Sequence, residues 1–153
     1  MLTTIGYERS GLEDFLATLT QGGVDVLVDV RDRAQSRLPG FSKTALAAAV
    51  NEVGIEYIHM PALGDPKPGR EAARAGNFEA FRAIFDDVLK TNEAQSAMID
   101  LVNLARNKRI CLMCFERDQR HCHRLIVANR LEIPLQTKAM HLGVSRGAAR
   151  RAA

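Results

Sequence analysis

The chain contains one stretch whose composition is that of a buried strand, Val24-Asp25-Val26-Leu27-Val28-Asp29-Val30, and Arg31 follows it directly. Its valines are β-branched, and such residues favour the pleated surface of a sheet. Valine-rich runs of this length are typical of parallel sheets that are covered on both faces. Glycines precede the stretch and a polar loop follows it. The stretch therefore predicts a central strand of a parallel sheet.

The segments on either side alternate between strand-like and helix-like patterns. Strands are predicted at 2–5, 55–59, 109–113 and 140–142, and helices at 12–19, 42–53, 78–89, 94–107 and from 118 to 131. Ser42 is the expected cap of the second helix. Prolines and glycines in 62–76 predict a long loop with at most a short helix. This alternation predicts a three-layer α/β fold, a mainly parallel sheet with helices on both faces.

Size and composition favour one domain. The chain has 153 residues, 46% of them hydrophobic, and a net charge of only +3. We expect a single α/β domain over 1–143 and a basic, flexible tail over 144–153. No apolar run approaches the roughly 20 residues that span a bilayer, and no signal-peptide pattern opens the chain. We therefore expect no contact with a membrane. Three cysteines do not form a disulfide framework, which favours the reducing cytoplasm.

Reactive and cationic side chains follow the predicted strands. In a parallel sheet the carboxyl ends of the strands share one edge, and ligands bind along that edge. The side chains that follow the four main strands are Tyr7, then Arg31 and Arg37, then His59, then Cys114, Glu116, His123 and Arg124. This convergence predicts one site in which Arg31, His59 and Cys114 share a cleft.

The residue types suggest roles within that site. Cys114 is the candidate nucleophile, and Glu116 and His123, with His59 beside them, are the candidate acid and base. Tyr7, Arg31, Arg37 and Arg124 are the candidate substrate-binding residues, because guanidinium groups bind carboxylate and phosphate. Two alternatives stay open: Arg31 could form a structural ion pair with Asp29, and Cys114 could be a buried structural thiol.

The cysteines do not predict a metal site. Cys111 and Cys114 lie three residues apart on one strand, so their side chains point to opposite faces and cannot share a metal. Zinc held by Cys114, Cys122 and one histidine is the alternative, although zinc ligands usually have clearer spacing. Cys122 lies on an apolar helical face and should pack inward. We expect no structural metal and no cofactor.

The ordered motifs resemble those of a bacterial family known as domain of unknown function 488. They are Thr4-Ile5-Gly6-Tyr7, Val28-Asp29-Val30-Arg31, Ser36-Arg37 with Pro39 and Phe41, Tyr57 with His59, Leu63-Gly64, Cys114-Phe115-Glu116 and Cys122-His123-Arg124. The resemblance covers about 2–142. It implies a compact cytoplasmic α/β domain and supplies no reaction. Asp65 stands where this family leads us to expect a second glycine. Residues 28–31 also resemble the early strand of rhodanese domains, but the glycine-containing cysteine loop of those sulfurtransferases is missing.

Two functional hypotheses follow. The first is an enzyme, a hydrolase or transferase, that acts on an anionic, phosphate- or nucleotide-like small molecule. The second is a nucleic-acid-binding module without catalysis, in which arginines bind phosphates and Tyr7 or Phe41 stacks on bases. Aromatic residues are only 5% of the chain. The enzyme hypothesis is favoured because it explains the thiol, imidazole and carboxylate together. The oligomeric state cannot be predicted from the sequence.

Overall fold

The computed structural model describes residues 1–152. Five strands form one sheet: β1 (Leu2–Gly6), β2 (Val26–Asp29), β3 (Glu56–His59), β4 (Ile110–Cys114) and β5 (Met140–Leu142). Their spatial order is β3-β2-β4-β1-β5, and every neighbouring pair is parallel. The predicted parallel sheet is confirmed, and the valine-rich β2 lies in its interior, as its composition indicates.

Helices cover both faces of the sheet. The described residues contain α1 (Leu12–Gln21), α2 (Lys43–Glu52), α3 (Lys67–Arg74), α4 (Phe78–Leu89), α5 (Asn92–Asn107), α6 (His123–Leu135) and α7 (Ala148–Ala152). Two short 3-10 helices, Pro61–Leu63 and Gln119–His121, lie in loops. One core packs α1 and α2 against the sheet and a second packs α4, α5 and α6 against its other face. The three-layer α/β fold is therefore confirmed. None of these helices combines the length and the apolar character that crossing a membrane requires.

Strand β4 shows how the sheet divides its side chains. Ile110, Leu112 and Cys114 belong to the core under α4–α6, whereas Cys111 and Met113 belong to the core under α1 and α2. Successive side chains of a strand point to opposite faces, which produces this alternation. The prediction that Cys111 and Cys114 point apart is thus confirmed.

The structure gives the detail of two segments, of which the first differs from the sequence-based expectation. Ser42 is the N-cap residue of α2, but its side chain makes no capping hydrogen bond. Its Oγ accepts from the Ser36 N–H at 3.1 Å and donates to the Ser36 carbonyl at 3.2 Å, so it closes the preceding loop instead. The segment 62–76, predicted as a long loop with at most a short helix, contains the eight-residue helix α3.

The end of the chain makes specific contacts with α1 where a flexible tail was expected. Val144 and Ala148 are buried. The N–H groups of Gly147 and Ala149 donate to the two carboxylate oxygens of Asp14 at 2.9 and 3.0 Å. These two bonds lower the pKa of Asp14. The described part of the segment is therefore packed, because two apolar side chains and an acceptor on α1 hold it.

Two glycines let the loops at the carboxyl edge of the sheet approach each other closely. A Cβ on Gly6 would lie 1.8 Å from the Glu116 carbonyl oxygen, and a Cβ on Gly64 would lie 2.3 Å from the backbone of Asp32. The Glu8 N–H donates to the Phe115 carbonyl at 2.8 Å. The loop after β1 thus lies directly on the loop after β4, and the loop after β3 lies on the loop after β2.

We expect Gly6→Ala to destabilise the fold by about 1–3 kcal/mol, the usual cost of forcing atoms into a filled space. The added methyl group meets backbone, which cannot rotate away as a side chain can. Urea unfolding monitored by circular dichroism measures the change. Gly143→Ala is the matched control, since a Cβ there meets no atom within 4 Å, and it should change stability by less than about 0.5 kcal/mol. Equal stability of the two variants would contradict this account of the loop contact.

Candidate functional site

The residues at the strand ends form two groups, one under each layer of helices. The Arg31 cluster consists of Tyr7, Asp29, Arg31, Phe41 and Tyr57. The Cys114 cluster consists of Cys114, Glu116, Cys122, His123 and Arg124. Tyr7 and Phe41 belong to the core under α1 and α2, whereas Cys114 and Cys122 belong to the core under α4–α6. The prediction that Arg31 and Cys114 share one cleft is therefore wrong, because the register between their strands places them on opposite faces.

Arg31 is held almost completely by the protein. Its Nε and Nη2 donate to the two oxygens of Asp29 at 2.9 and 2.7 Å, and its Nη1 donates to the Tyr7 hydroxyl at 3.1 Å and the Phe41 carbonyl at 2.8 Å. These bonds use four of its five N–H donors. Burial alone would lower the pKa of Arg31, but the hydrogen bonds and charge of Asp29 raise it above its usual value. Of the two alternatives for Arg31, an anion-binding residue or a structural ion pair with Asp29, the structure contains the ion pair.

The aromatic members of the Arg31 cluster are also occupied. Tyr7 is 2% exposed and stacks on Phe41 with ring centroids 4.6 Å apart. The Tyr57 hydroxyl donates to Asp29, and burial together with that bond raises the pKa of Tyr57. Asp29 thus accepts from two side chains while it is fully buried. Substrate binding by Tyr7 and Arg31 stays a prediction. In the structure both side chains contact other parts of the protein and stabilise the fold.

The Cys114 cluster joins the end of a strand to the start of a helix. Cys114 is the last residue of β4, and Cys122, eight residues later, is the N-cap residue of α6. The structure joins their sulfur atoms in a disulfide, and Cys111 stays free. The sequence predicted no disulfide framework, and the structure corrects this expectation for one pair, Cys114 and Cys122. Cys122 packs inward, as predicted, and is 3% exposed.

Arg124 is the unusual member of the Cys114 cluster. Its side chain is fully buried. Its Nε donates to the Thr4 hydroxyl at 3.2 Å, Nη1 donates to the Glu116 carbonyl, Nη2 donates to the Arg117 carbonyl at 3.2 Å, and Nη1 lies 3.0 Å from Cys114 Sγ. Burial lowers the pKa of Arg124 to about 10, so the group is still charged at neutral pH.

No carboxylate balances that charge at close range. Within residues 1–152, no acidic oxygen pairs with Arg124 inside 4.0 Å. Of the four atoms that its nitrogens contact, only the sulfur of Cys114 can carry a negative charge once it is reduced. A buried charge is costly unless it is paired. The guanidinium therefore favours the thiolate form of Cys114.

Glu116 and the helix N-terminus complete the surroundings of the two sulfurs. Glu116 Oε2 lies 3.4 Å from Cys114 Sγ, and burial raises the pKa of this half-buried carboxyl. Cys122 Sγ accepts from the backbone N–H of Arg124 at 3.4 Å, in the first turn of α6. Helix N-termini stabilise negative charge. Each sulfur thus has its own source of positive potential.

The two predicted histidines donate to backbone carbonyls. His123 Nε2 lies 2.7 Å from the Val30 carbonyl, which can only accept, so Nδ1 carries no proton and lies 3.6 Å from Cys122 Sγ. Burial lowers the pKa of His123 to about 4. It is therefore a neutral base beside Cys122. His59 Nε2 donates to the Arg31 carbonyl at 2.8 Å. Of the predicted substrate-binding residues, Arg37 is exposed in the loop after β2.

One group of side chains in the described residues could hold a metal ion. Cys114, Glu116 and Cys122 each offer a ligand atom, and these atoms lie within 4.8 Å of one another. Thiolates and a carboxylate are ligands that suit zinc. The sequence suggested Cys114 and Cys122 for this alternative but not Glu116. The expectation of no structural metal stays a prediction, which elemental analysis of the reduced protein would test.

Asp65 also lies near the strand ends, although the sequence analysis did not include it among the site residues. The residue is 5% exposed, and its Oδ1 has no hydrogen-bond partner. A Cβ on Gly69 would lie 1.9 Å from that oxygen, so only glycine fits on α3 at this position. Burial raises the pKa of Asp65 to about 7, and the negative charge of Glu116 adds to the shift. The one signal in the sequence was the acidic residue where a glycine was expected.

We expect Asp65→Asn to gain stability relative to the wild type as the pH rises from about 4 to about 7. Over this window the unfolded carboxyl loses its proton while the folded one keeps it, so wild-type stability falls with rising pH. Each unit of pKa difference is worth about 1.4 kcal/mol. Urea unfolding of both proteins across this pH range measures the difference between their free energies of unfolding. The pH-dependent contribution of His123, which has the opposite sign, is common to both proteins and cancels in this difference. A difference that does not change with pH would contradict the raised pKa.

We expect Arg31→Ala to lower the free energy of unfolding by about 3–5 kcal/mol, because it leaves the buried Asp29 without its partner. Arg37→Ala is the matched control, since that side chain is exposed in the same loop, and it should have an effect below about 0.5 kcal/mol. Thermal or urea unfolding measures both variants. A small effect of Arg31→Ala would show that the guanidinium is free to serve a ligand instead.

Comparisons with known proteins identify a family and no characterised relative. Neither the curated proteins nor the solved structures gave a match. The family model described as Domain of unknown function DUF488 matches residues 11–131, well over half of the chain, and that range includes most of the motifs on which the resemblance depended. The chain belongs to the DUF488 family.

Proposed function

We propose that the protein is an enzyme that acts on an anionic substrate at the carboxyl ends of the strands, with Cys114 as its nucleophile. The observation that supports this most directly is the buried Arg124 guanidinium, which lies 3.0 Å from Cys114 Sγ and has no carboxylate partner among the described residues. A cationic neighbour lowers the pKa of a thiol, and the thiolate is the nucleophilic form. A structural thiol needs no such neighbour.

The nucleophile requires the reduced form of the Cys114 cluster. A sulfur within a disulfide carries no charge, so reduction of the bond to Cys122 creates the thiolate beside Arg124. Glu116 Oε2, 3.4 Å from that sulfur, is placed to give or take a proton at the reacting atoms. Its raised pKa favours the acid form over a wider pH range than for an exposed glutamate. His123 Nδ1 lies 3.6 Å from Cys122 Sγ, so its place is beside the second sulfur.

Exposed arginines support an anionic substrate. Arg9 follows β1, Arg33 and Arg37 follow β2, and all three are exposed. None of them forms an ion pair within residues 1–152, whereas Arg70 pairs with Asp32 and Arg120 with Asp118. Uncompensated positive charge along one edge attracts phosphate and carboxylate groups. The exposed arginines therefore support a phosphate- or nucleotide-like small molecule as the substrate.

The alternative of a nucleic-acid-binding module has weaker support. The same arginines would serve phosphates, but Tyr7 and Phe41 are 2% and 0% exposed and stack on each other. A base cannot stack on rings that are already buried. That alternative also gives no role to a buried guanidinium beside a thiol.

We expect Cys114 to be the fastest-reacting thiol of the reduced protein. Burial raises the pKa of Cys111 to about 12, which makes that thiol inert near neutral pH. Iodoacetamide labelling followed by peptide mapping ranks the three cysteines. The midpoint of the pH profile for Cys114 should lie below the value of about 8.5 for a free thiol. Arg124→Gln should raise it, whereas Arg124→Lys should keep it low because the charge remains.

Arg120→Gln is the matched control, because Arg120 is exposed and pairs with Asp118 on the same loop. It should leave the labelling of Cys114 unchanged. Circular dichroism of each variant shows whether the fold is intact. Labelling of Cys114 no faster than that of Cys111 would identify a core thiol, and Glu116 with His123 would then be the remaining acid and base.

A further inference from the structure

We propose that Cys114 and Cys122 form a redox couple that reduces hydroperoxides, in which Cys114 is oxidised first and Cys122 is the resolving thiol. The proposal goes beyond nucleophilic catalysis on an anion, and it rests on the proposed function in one respect, the thiolate of Cys114. It gives a chemical role to the sulfur of Cys122, which takes no part in the chemistry of the proposed function.

The first support is that the two sulfurs meet within a single loop whose ends are fixed. Cys114 ends β4, which pairs with β1 and β2 in the sheet interior, and Cys122 caps α6. The structure joins the two residues in a disulfide. An oxidised Cys114 therefore has an intramolecular thiol partner, and intramolecular reactions of well-placed groups have large advantages over bimolecular ones. Cys111 lies on the opposite face and has no such partner.

The second support is that the two sulfurs have different neighbours. Cys114 Sγ lies beside a full positive charge, the Arg124 guanidinium, and 3.4 Å from Glu116. Cys122 Sγ lies beside a backbone N–H and the unprotonated Nδ1 of His123. The guanidinium favours the thiolate at Cys114, whereas Cys122 has beside it only a backbone N–H and a neutral imidazole and lacks a full positive charge. This difference sets the order in which the two sulfurs react.

The first step oxidises Cys114. Its thiolate attacks the terminal oxygen of the hydroperoxide, so that a sulfur–oxygen bond forms and the oxygen–oxygen bond breaks. The sulfur loses two electrons and becomes a sulfenic acid. The departing alkoxide, or hydroxide from hydrogen peroxide, takes a proton from the Glu116 carboxyl and leaves as an alcohol or water.

The second step closes the disulfide. Cys122 attacks the sulfenic sulfur, so that the sulfur–sulfur bond forms and the sulfur–oxygen bond breaks. The hydroxide leaves as water with the proton of the Cys122 thiol. A dithiol reductant then returns both cysteines to thiols and becomes a disulfide itself, which completes the cycle.

Titration of the reduced protein with hydrogen peroxide tests the proposal. The full chain is reduced, treated with a chelator so that both sulfurs are free, and separated from the reductant. One equivalent of peroxide should lower the count of free thiols from three to one, with Cys111 the thiol that remains. Peptide mapping should find the bond between Cys114 and Cys122. Cys111→Ser is the matched control, and it should consume peroxide as the wild type does.

Single substitutions separate the two steps. Cys122→Ser should stop at a sulfenic acid on Cys114, which dimedone traps. Cys114→Ser should remove the fast reaction, and Arg124→Gln should slow it by about tenfold or more, the effect of about 1.4 kcal/mol on a barrier. Peroxide consumption by the wild type no faster than by Cys114→Ser would overturn the proposal. Trapping of Cys122 instead of Cys114 would overturn the order of the steps.

The same reduced sample distinguishes this proposal from the proposed function. Fast alkylation of Cys114 without fast reaction with peroxide overturns the redox couple and leaves the nucleophile in place. Slow alkylation and slow peroxide reaction together overturn both. Wild-type protein alone gives these two measurements, so the test does not depend on whether a variant folds.

Discussion

The arrangement at the carboxyl edge depends on one buried charge, the guanidinium of Arg124. It reaches from the first turn of α6 to the Thr4 hydroxyl in β1 and to the carbonyls of Glu116 and Arg117 in the loop after β4. One side chain thus connects α6 and the loop just before it to β1, which lies 120 residues earlier in the chain. The loop between Cys114 and Cys122 has its shape because these carbonyls point at the guanidinium.

The same charge links stability to chemistry. Two carbonyls and a hydroxyl accept hydrogen bonds from three of the five N–H donors of Arg124, but they do not neutralise its charge. Cys114 is the contacting group that can supply a negative charge, and it does so only when reduced and deprotonated. Oxidation to the disulfide removes that option. The redox state of Cys114 therefore changes the electrostatic balance around a fully buried cation, and the fold and the reactivity of the thiol are parts of the same interaction.

The opposite face of the sheet shows how a second arginine can have a purely structural part. Arg31 follows β2 and is also buried, but Asp29 neutralises it with two hydrogen bonds, and Tyr7 and Phe41 use most of its remaining donors. The contrast explains why one arginine is proposed to activate a thiol and the other is not. The two buried arginines have different roles because Arg31 has a carboxylate two residues earlier and Arg124 does not.

The sequence was sufficient for the fold and only partly for the site. Strands such as the valine-rich β2, and the alternation of Cys111 and Cys114 along β4, follow from patterns of period two that composition displays directly. The separation of Arg31 from Cys114 does not, because it depends on the register between two strands that lie far apart in the chain. To predict the pairing of Cys114 with Cys122, one must know the path of the loop between them. To predict the burial of Asp65, one must know the position of α3, which the prolines and glycines of 62–76 do not define.

The most direct test of the central claim is the ionisation state of Cys114 in the reduced protein. Carbon-13 NMR of cysteine-labelled protein reports thiol or thiolate from the Cβ shift, and a Cys114→Ser variant assigns the signal. The account predicts a thiolate at neutral pH that becomes a thiol in Arg124→Gln. A Cys114 signal that stays that of a thiol at neutral pH, and that is the same in the wild type and in Arg124→Gln, would contradict it.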